Sequence, residues 1–396
     1  MSTSRPRHWA NDSGTLFKNP WPSGEEVSWS ELYDGQLPVS WHDRQKLSED
    51  IQVVKPDWGE EAIRAKSTHR DVQGDYVIAT WLGHAGALVE LPSISLEVGS
   101  NRRAAAPDSV YLVFDPIFSH RAGPTPWVGP SRFRETPCAV HELPSCDAVF
   151  ISHNHFDHLD LPTVTAISKV FPQTRWFVPL ENKKWMLESG VTEDNVVEKD
   201  WWDEWTGTVK DQQIKVTCVP AQHHSARAGF DKNQTLWCGW VVERFEGSKQ
   251  RGSVYHAGDT GYRRLHDSPV TCPAFKEIGE KFGGFDLSFI PMWRGGTLGM
   301  ISYLGLKLSQ SAIAAVHHAY PKDALQIHKD VRSRNTIPVH FGTFVGSADE
   351  SQESLKEFRE ACDDQKVCKL EETDNGNGRA DVLNVGASAV VEVTKT

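Results

Sequence analysis

Four apolar runs in this chain stop on a histidine or an aspartate, and that repeated ending constrains the fold more than any other feature. Ala148-Val149-Phe150-Ile151 leads into His153-Asn154-His155-Phe156-Asp157-His158. Cys218-Val219-Pro220 leads into Gln222-His223-His224, Tyr255-His256-Ala257 into Gly258-Asp259, and Ile337-Pro338-Val339 into His340. Short apolar runs bounded by glycine, proline and polar residues read as buried strands. Ligand-type residues at four strand ends point to one shared site.

The residue types suit a metal. Zinc takes imidazole and carboxylate, and a hydrolytic site keeps a position open for water. His153 and His155 alternate, so an extended backbone turns both to the same side. Asp157 and His158 can serve a second position as the chain bends, and two ions about 3.5–4 Å apart can share one water-derived nucleophile. Alternation leaves His223 and His224 equally eligible. His256 and His328 read as hydrogen-bonded core histidines.

The rest of the chain supplies the frame. Residues 76–82 read as a buried strand followed by Gly83-His84-Ala85-Gly86, where small residues permit a sharp turn. Strands follow at 87–91 and at 110–114, the latter ending on Asp115-Pro116. Further strands are expected at 214–220, 236–242, 253–257 and 287–291. Leu161-Pro162 opens a helix with proline in its first turn, another short helix is closed by Gly190, and a third covers 323–331. Hairpin-joined and helix-joined strands together mean a mixed α/β domain with two sheets. Residues 1–70 lack sustained periodicity and read as an N-terminal extension packing on or near the core, with the catalytic domain over 71–396.

Charge narrows the partners. Lys and Arg number 42 against 53 Asp and Glu, a net charge of −11 that argues against nucleic acid. Arg132 and Arg134 read as solvated surface. The 7 cysteines are scattered without a Cys-x-x-Cys pair, which fits a reducing compartment. No run approaches the roughly 20 apolar residues of a membrane span. The expected location is intracellular, cytoplasmic or peripheral on a membrane, with the basic start of the chain leaving a mitochondrial address as the alternative.

Flanking segments carry a family resemblance. The pattern His153-x-His155-x-Asp157-His158, then His223, Asp259 and His340, resembles the metallo-β-lactamase superfamily. Phe17-Lys18-Asn19-Pro20-Trp21-Pro22, Trp81-Leu82-Gly83-His84-Ala85, Gly129-Pro130-Ser131-Arg132-Phe133-Arg134, Asp200-Trp201-Trp202 and His340-Phe341-Gly342-Thr343-Phe344 resemble its N-acylphosphatidylethanolamine-hydrolysing phospholipases D. The resemblance implies an α/β fold, the αββα four-layer sandwich, and two zinc ions per chain. His153, His155 and His223 would hold the first ion and Asp157, His158 and His340 the second, with Asp259 bridging; His223 is preferred over His224 because the family ligand follows Gln.

It also implies catalytic roles for Asp157, Asp259 and His318, a metal-bridging hydroxide as nucleophile, and hydrolysis of N-acylphosphatidylethanolamine to phosphatidic acid and an N-acylethanolamine. The implied partners are a phospholipid substrate and a peripheral membrane surface, and a homodimer is compatible with both. Alternatives are a lactonase or other ester or phosphodiester hydrolase acting on a soluble substrate, and a non-catalytic metal-binding scaffold. Three departures bear on substrate choice. Residues 263–271 are inserted, 292–317 match poorly, and Phe156 stands where tyrosine is expected. The weakly charged stretch 295–316 suits an acyl groove, an interfacial segment or a core helix.

Overall fold

The computed structural model describes residues 5–28, 31, 39–41, 51–67, 75–92, 108–266, 268–293, 306–308, 314–345 and 348–393. Most of the stretch 295–316 lies outside the described residues, apart from a small ladder pairing Val39–Trp41 with Leu306–Leu308.

The first sheet opens as the expected meander, with β1 (Tyr76–Gly83), β2 (Gly86–Leu91) and β3 (Val110–Phe114) antiparallel. β4 (Ala148–Phe150), β5 (Arg175–Pro179) and β6 (Val196–Lys199) then join in parallel. In the second sheet β7 (Glu204–Val209), β8 (Gln212–Val219), β9 (Gly239–Glu246) and β10 (Lys249–His256) are antiparallel neighbours. β11 (Leu287–Pro291), β12 (Asn335–Val339) and β13 (Arg379–Ala380) extend it in parallel. The final strand, β14 (Ser388–Glu392), returns to the first sheet beside β1.

Alternation along the strands sorts side chains between two faces. Val77, Ala79, Trp81, Leu112, Phe114 and Phe150 point into the core shared with the second sheet. Leu82, Tyr111, Val113, Val149 and Ile151 point the other way, where Val164 and Ile167 of α2 (Leu161–Val170) cover them. α1 (Glu60–Ser67) adds Ala62 and Ile63 against Ile78 and Val390. On the second sheet α4 (Ala274–Phe282) and α5 (Pro321–Asp330) contribute Phe275, Ile278, Leu325 and Ile327 to the core. The short α3 is Lys183–Glu188 and the last helix, α6, is Ala348–Gln365. The result is an αββα sandwich. Among the described residues no helix is long and apolar enough to cross a membrane.

The strand expected at 236–242 starts later, at Gly239, for a reason of hydrogen bonding. The Leu236 and Cys238 N–H groups are taken by Leu180 and Ser152 carbonyls of the other layer. Buried tryptophans help fix the same edge. Trp81, Trp237 and Trp240 each donate an indole N–H to a carbonyl near a site-bearing strand end, those of His84, Ala221 and Ile151. Part of what the tryptophan-rich composition supplies is therefore donors to backbone that has left its ladder.

Arg132 and Arg134 correct the surface reading, because both are buried. Arg132 donates to the Ser119 and Ile117 carbonyls and lies over the Phe344 ring, and Arg134 donates to the Ile51 and Gly342 carbonyls. Loop carbonyls buried behind the site need donors, and a guanidinium reaches several at once.

Described residues of the N-terminal segment form a strap along the second sheet. Phe17 N–H bonds the Asn233 carbonyl, and Trp21 stacks on Trp201 with centroids 5.5 Å apart. Asn19 Nδ2 donates to the His223 carbonyl at 2.9 Å and Ser23 Oγ to Gln222 Oε1 at 2.6 Å. The strap thus backs one of the expected ligands.

Candidate metal centre

The C-terminal ends of β4, β8, β10 and β12 meet at one edge of the sandwich, so the chain turns there deliver His153, His223, Asp259 and His340 to a common point. Left-handed backbone makes the delivery possible. Gly258, at φ +62°, swings Asp259 inward, and a Cβ there would stand 2.5 Å from that of Ser152. His84, Asp115 and His340 also hold positive φ, of 52°, 36° and 64°. Such conformations are uncommon for non-glycine residues and cluster at functional sites.

Two ligand sets result. In the first, His153, His155, His223 and Asp259 bring their donor atoms within 4.8 Å of one another. Proton positions there follow from the partners. His223 Nδ1 lies 2.8 Å from the His317 carbonyl, which only accepts, so Nδ1 carries the proton and Nε2 a lone pair. Ser152 Oγ donates to Asp115 Oδ2 at 2.6 Å and accepts from His153 Nδ1 at 2.9 Å, which leaves His153 Nε2 as a lone pair too. Both lone pairs converge on His155 Nδ1, at 2.8 Å from His153 and 3.2 Å from His223. One proton on His155 serves at most one of these contacts well, whereas a cation serves all three. Burial holds all three histidines below their ordinary value, His155 at about 4, so they stay neutral.

The second set is His158, Asp157 and His340, with His84, which the sequence did not single out, grouped beside them. His158 Nε2 lies 3.2 Å from Asp259 Oδ2 and 3.6 Å from Asp157 Oδ2. His340 Nε2 lies 3.0 Å from Asp259 Oδ1 and 3.6 Å from Asp157 Oδ2. His158 Nε2, Asp259 Oδ1 and both His340 nitrogens are nonetheless buried without an aligned hydrogen bond among the described residues. Buried polar atoms so close and so poorly paired are what an imidazole–carboxylate metal site presents before its ion is counted. The donor set therefore fits two ions with Asp259 between them. Burial would lower His340 and His158, but Asp259 and Asp157 outweigh it, raising His340 to about 9 and His158 well above its usual range. Burial acts against both carboxylates as well, yet the neighbouring imidazoles, His158 foremost, hold Asp157 and Asp259 well below the ordinary carboxylate range.

Three supporting residues escaped the sequence reading as site residues. Asp115 accepts from Ser152 N–H at 2.7 Å and from His158 Nδ1 at 2.8 Å, which reserves His158 Nε2 for a ligand role. Ser152 joins this carboxylate to His153. His84, kept neutral at about 3 by burial and by His340, donates from Nε2 to Asp157 Oδ2 at 2.9 Å. Both Asp115 and His84 follow apolar strands, the same signal that marked the other four positions. His318 stands at the mouth, Nε2 3.6 Å from Asp259 Oδ2 and its ring 4.7 Å from that of Trp293. Phe156 packs under the Arg227 guanidinium at 4.1 Å, and Arg227 braces the cluster loop through the Asn154 and Leu159 carbonyls. That role needs a ring and no hydroxyl. In the insert 263–271, Arg263 pairs with Asp323 at 2.8 Å.

Comparison with known families agrees with this geometry. Residues 111–341, more than half the chain, match the model of the beta-lactamase superfamily domain. The chain belongs to the metallo-β-lactamase superfamily. It is 34% identical over 376 residues to N-acyl-phosphatidylethanolamine-hydrolyzing phospholipase D 1 of Caenorhabditis elegans, covering 92% of each chain. Against the mitochondrial N-acyl-phosphatidylethanolamine-hydrolyzing phospholipase D of Saccharomyces cerevisiae it is 28% identical, over 83% of this chain and 66% of that one. Among solved structures it is similar to Igni18, a metallo hydrolase of Ignicoccus hospitalis, with TM-score 0.47 and 16% identity over 81% of this chain and 100% of that one. As a metallo-β-lactamase superfamily member resembling the phospholipases D, the protein is a metal-dependent hydrolase.

Proposed function

We propose that the protein is a zinc-dependent phosphodiesterase of the phospholipase D type, acting on N-acylphosphatidylethanolamine. The observation that carries the reading is the pair of ligand sets meeting at Asp259, with five imidazoles and two carboxylates drawn from the two sheets. Imidazole-rich donor sets suit zinc, and identity along nearly the whole chain to a phospholipase D of this specificity supports the substrate. When bound, two zinc ions supply a water of lowered pKa and stabilise charge on the phosphoryl oxygens.

The chain's own groups do the rest. Asp259, pinned between the sets, orients the nucleophile along the line of attack. Asp157 is held by His84 and carries negative charge into the second set. His318, at the open side, donates from Nε2 to a phosphoryl oxygen or to the departing oxygen. The bond broken lies between phosphorus and the ethanolamine oxygen; water supplies the new P–O bond and a proton passes to the leaving alkoxide. Two loops, the 119–137 loop and the one after His223-His224, expose aromatic rings, Trp127 at 86% and Phe230 at 85%, which supports docking on a lipid surface.

Metal analysis of the purified protein is expected to return two zinc ions per chain. N-acylphosphatidylethanolamine in mixed micelles should release N-acylethanolamine, and Asp259→Asn should abolish the release. Wild-type protein that leaves this lipid intact while cleaving small soluble esters or lactones would overturn the lipid assignment.

A further inference from the structure

His256 is a core histidine whose two nitrogens reach turns of the two different sheets. It closes β10, is 1% exposed, and lies flat on Phe114 with ring centroids 5.0 Å apart and planes 9° from parallel. Nε2 stands 3.0 Å from the Ala85 carbonyl, which only accepts, so Nε2 carries the proton. Nδ1 is then a lone pair, and it accepts the Gly258 N–H at 3.1 Å. Burial lowers the pKa of this imidazole below its ordinary value, which keeps the ring in that neutral form.

Both contacts fall on turns that carry the metal centre. The Ala257 N–H still goes to the Phe289 carbonyl of the neighbouring strand. Gly258 N–H is the next donor along the chain, in the left-handed residue that turns Asp259 inward, and His256 Nδ1 takes it. Ala85 belongs to the turn at 83–86 on the first sheet. In that turn His84 holds Asp157 through Nε2 at 2.9 Å and accepts the His340 N–H on its carbonyl, also at 2.9 Å. One imidazole thus joins the turn that delivers Asp259 to the turn that steadies Asp157 and His340. Packing alone does not ask for this residue. Phenylalanine would stack on Phe114 as well, but would take this partner from a buried N–H and a buried carbonyl.

We propose that His256 is a positioning residue, which sets the Asp259 carboxylate against the second ligand set through the Gly258 and Ala85 main chain. Asp259 Oδ1 lies 3.0 Å from His340 Nε2 and Oδ2 lies 3.2 Å from His158 Nε2, so a rotation at Gly258 changes both distances together. The inference rests on the two-ion reading of the centre and is independent of the substrate.

The test loads the full-length chain with Zn2+ for chelator titration and with Co2+ for visible absorption. His256→Phe keeps the stack and removes both contacts. At least one release step should move by tenfold or more, within the about 10–100-fold that loss of an orienting partner costs, and the cobalt bands should shift as coordination changes. His256→Asn places Oδ1 where Nδ1 stood, and His256→Gln places its amide nitrogen toward the Ala85 carbonyl, so each should recover part of both effects. A purely structural role would lower the urea midpoint and leave the cobalt bands in place. Unmoved bands with release within about threefold of wild type in His256→Phe overturn the proposal, as do losses equal in all three variants. Should circular dichroism show His256→Phe unfolded, the same comparison with wild type is decided on the two amide variants. A wild-type chain that takes up neither ion would instead refute the two-ion reading.

Discussion

Replacing Asp115 by asparagine tests the proton logic of the site without touching a ligand. The carboxylate accepts three hydrogen bonds, from Ser152 N–H, Ser152 Oγ and His158 Nδ1, at 2.7, 2.6 and 2.8 Å. An amide keeps one acceptor and gains a donor. With its oxygen left on the Ser152 N–H, its NH2 faces His158 Nδ1 and drives the imidazole proton to Nε2, the atom that should ligate. The reverse orientation sets NH2 against a backbone N–H. Losing a partner that orients a metal ligand costs about 10–100-fold in metal affinity, and a wrong tautomer belongs at the upper end, about 2.7 kcal/mol. Chelator competition on Asp115→Asn should therefore show the His158-bound ion released about 100-fold more easily, and the other weakened less, through Ser152 Oγ and His153. Circular dichroism would establish that the variant is folded. Two ions bound with affinities within about threefold of wild type would refute the assignment of Asp115 as the group that sets His158.

His84→Asn keeps a residue that tolerates positive φ but loses the contact to Asp157; about tenfold weaker binding of the second ion is expected by the same competition, with the first unchanged. Gly258→Ala forces a Cβ toward Ser152 and the Cys238 carbonyl in a left-handed backbone, and should cost about 2–4 kcal/mol, read from the urea midpoint. His328, remote from the site, bonds Thr336 Oγ1 and the Asn377 carbonyl, and burial lowers its pKa below 6.5. Unfolded chains therefore bind the extra proton below about pH 6.5, so stability is lost as pH falls through that value, by up to about 1.4 kcal/mol per unit. His328→Gln should flatten this dependence between pH 7 and 5 in urea titrations with chelator present.

The strand-end pattern made the site edge legible because burial demands an apolar run and function demands a polar ligand where that run stops. It also applied to His84 and Asp115, where a turn of small residues and an Asp-Pro pair invited a purely structural reading. Alternation could not separate His223 from His224, since adjacent residues on bent backbone both reach the edge; the His317 carbonyl, 94 positions away, is what fixes His223. Arg132 and Arg134 looked like surface because charge alone reads as solvation, whereas their carbonyl partners lie up to 208 positions away, as Gly342 does from Arg134. The return of β14 to β1 is likewise a pairing at long range that local periodicity does not encode.

The strap has a kinetic consequence. Asn19 and Ser23 grip residues 204 and 199 positions further along, so they have no docking partner until β8 and its following turn exist. Docking of the strap is therefore a late folding event, and by the same topology its release is an inexpensive local opening. Whatever is held by His223 resists that opening, and the reverse must hold by equal measure. Metal content and the amide protection of residues 17–24 should rise and fall together, which makes the beginning of the chain a reporter of what its centre has bound.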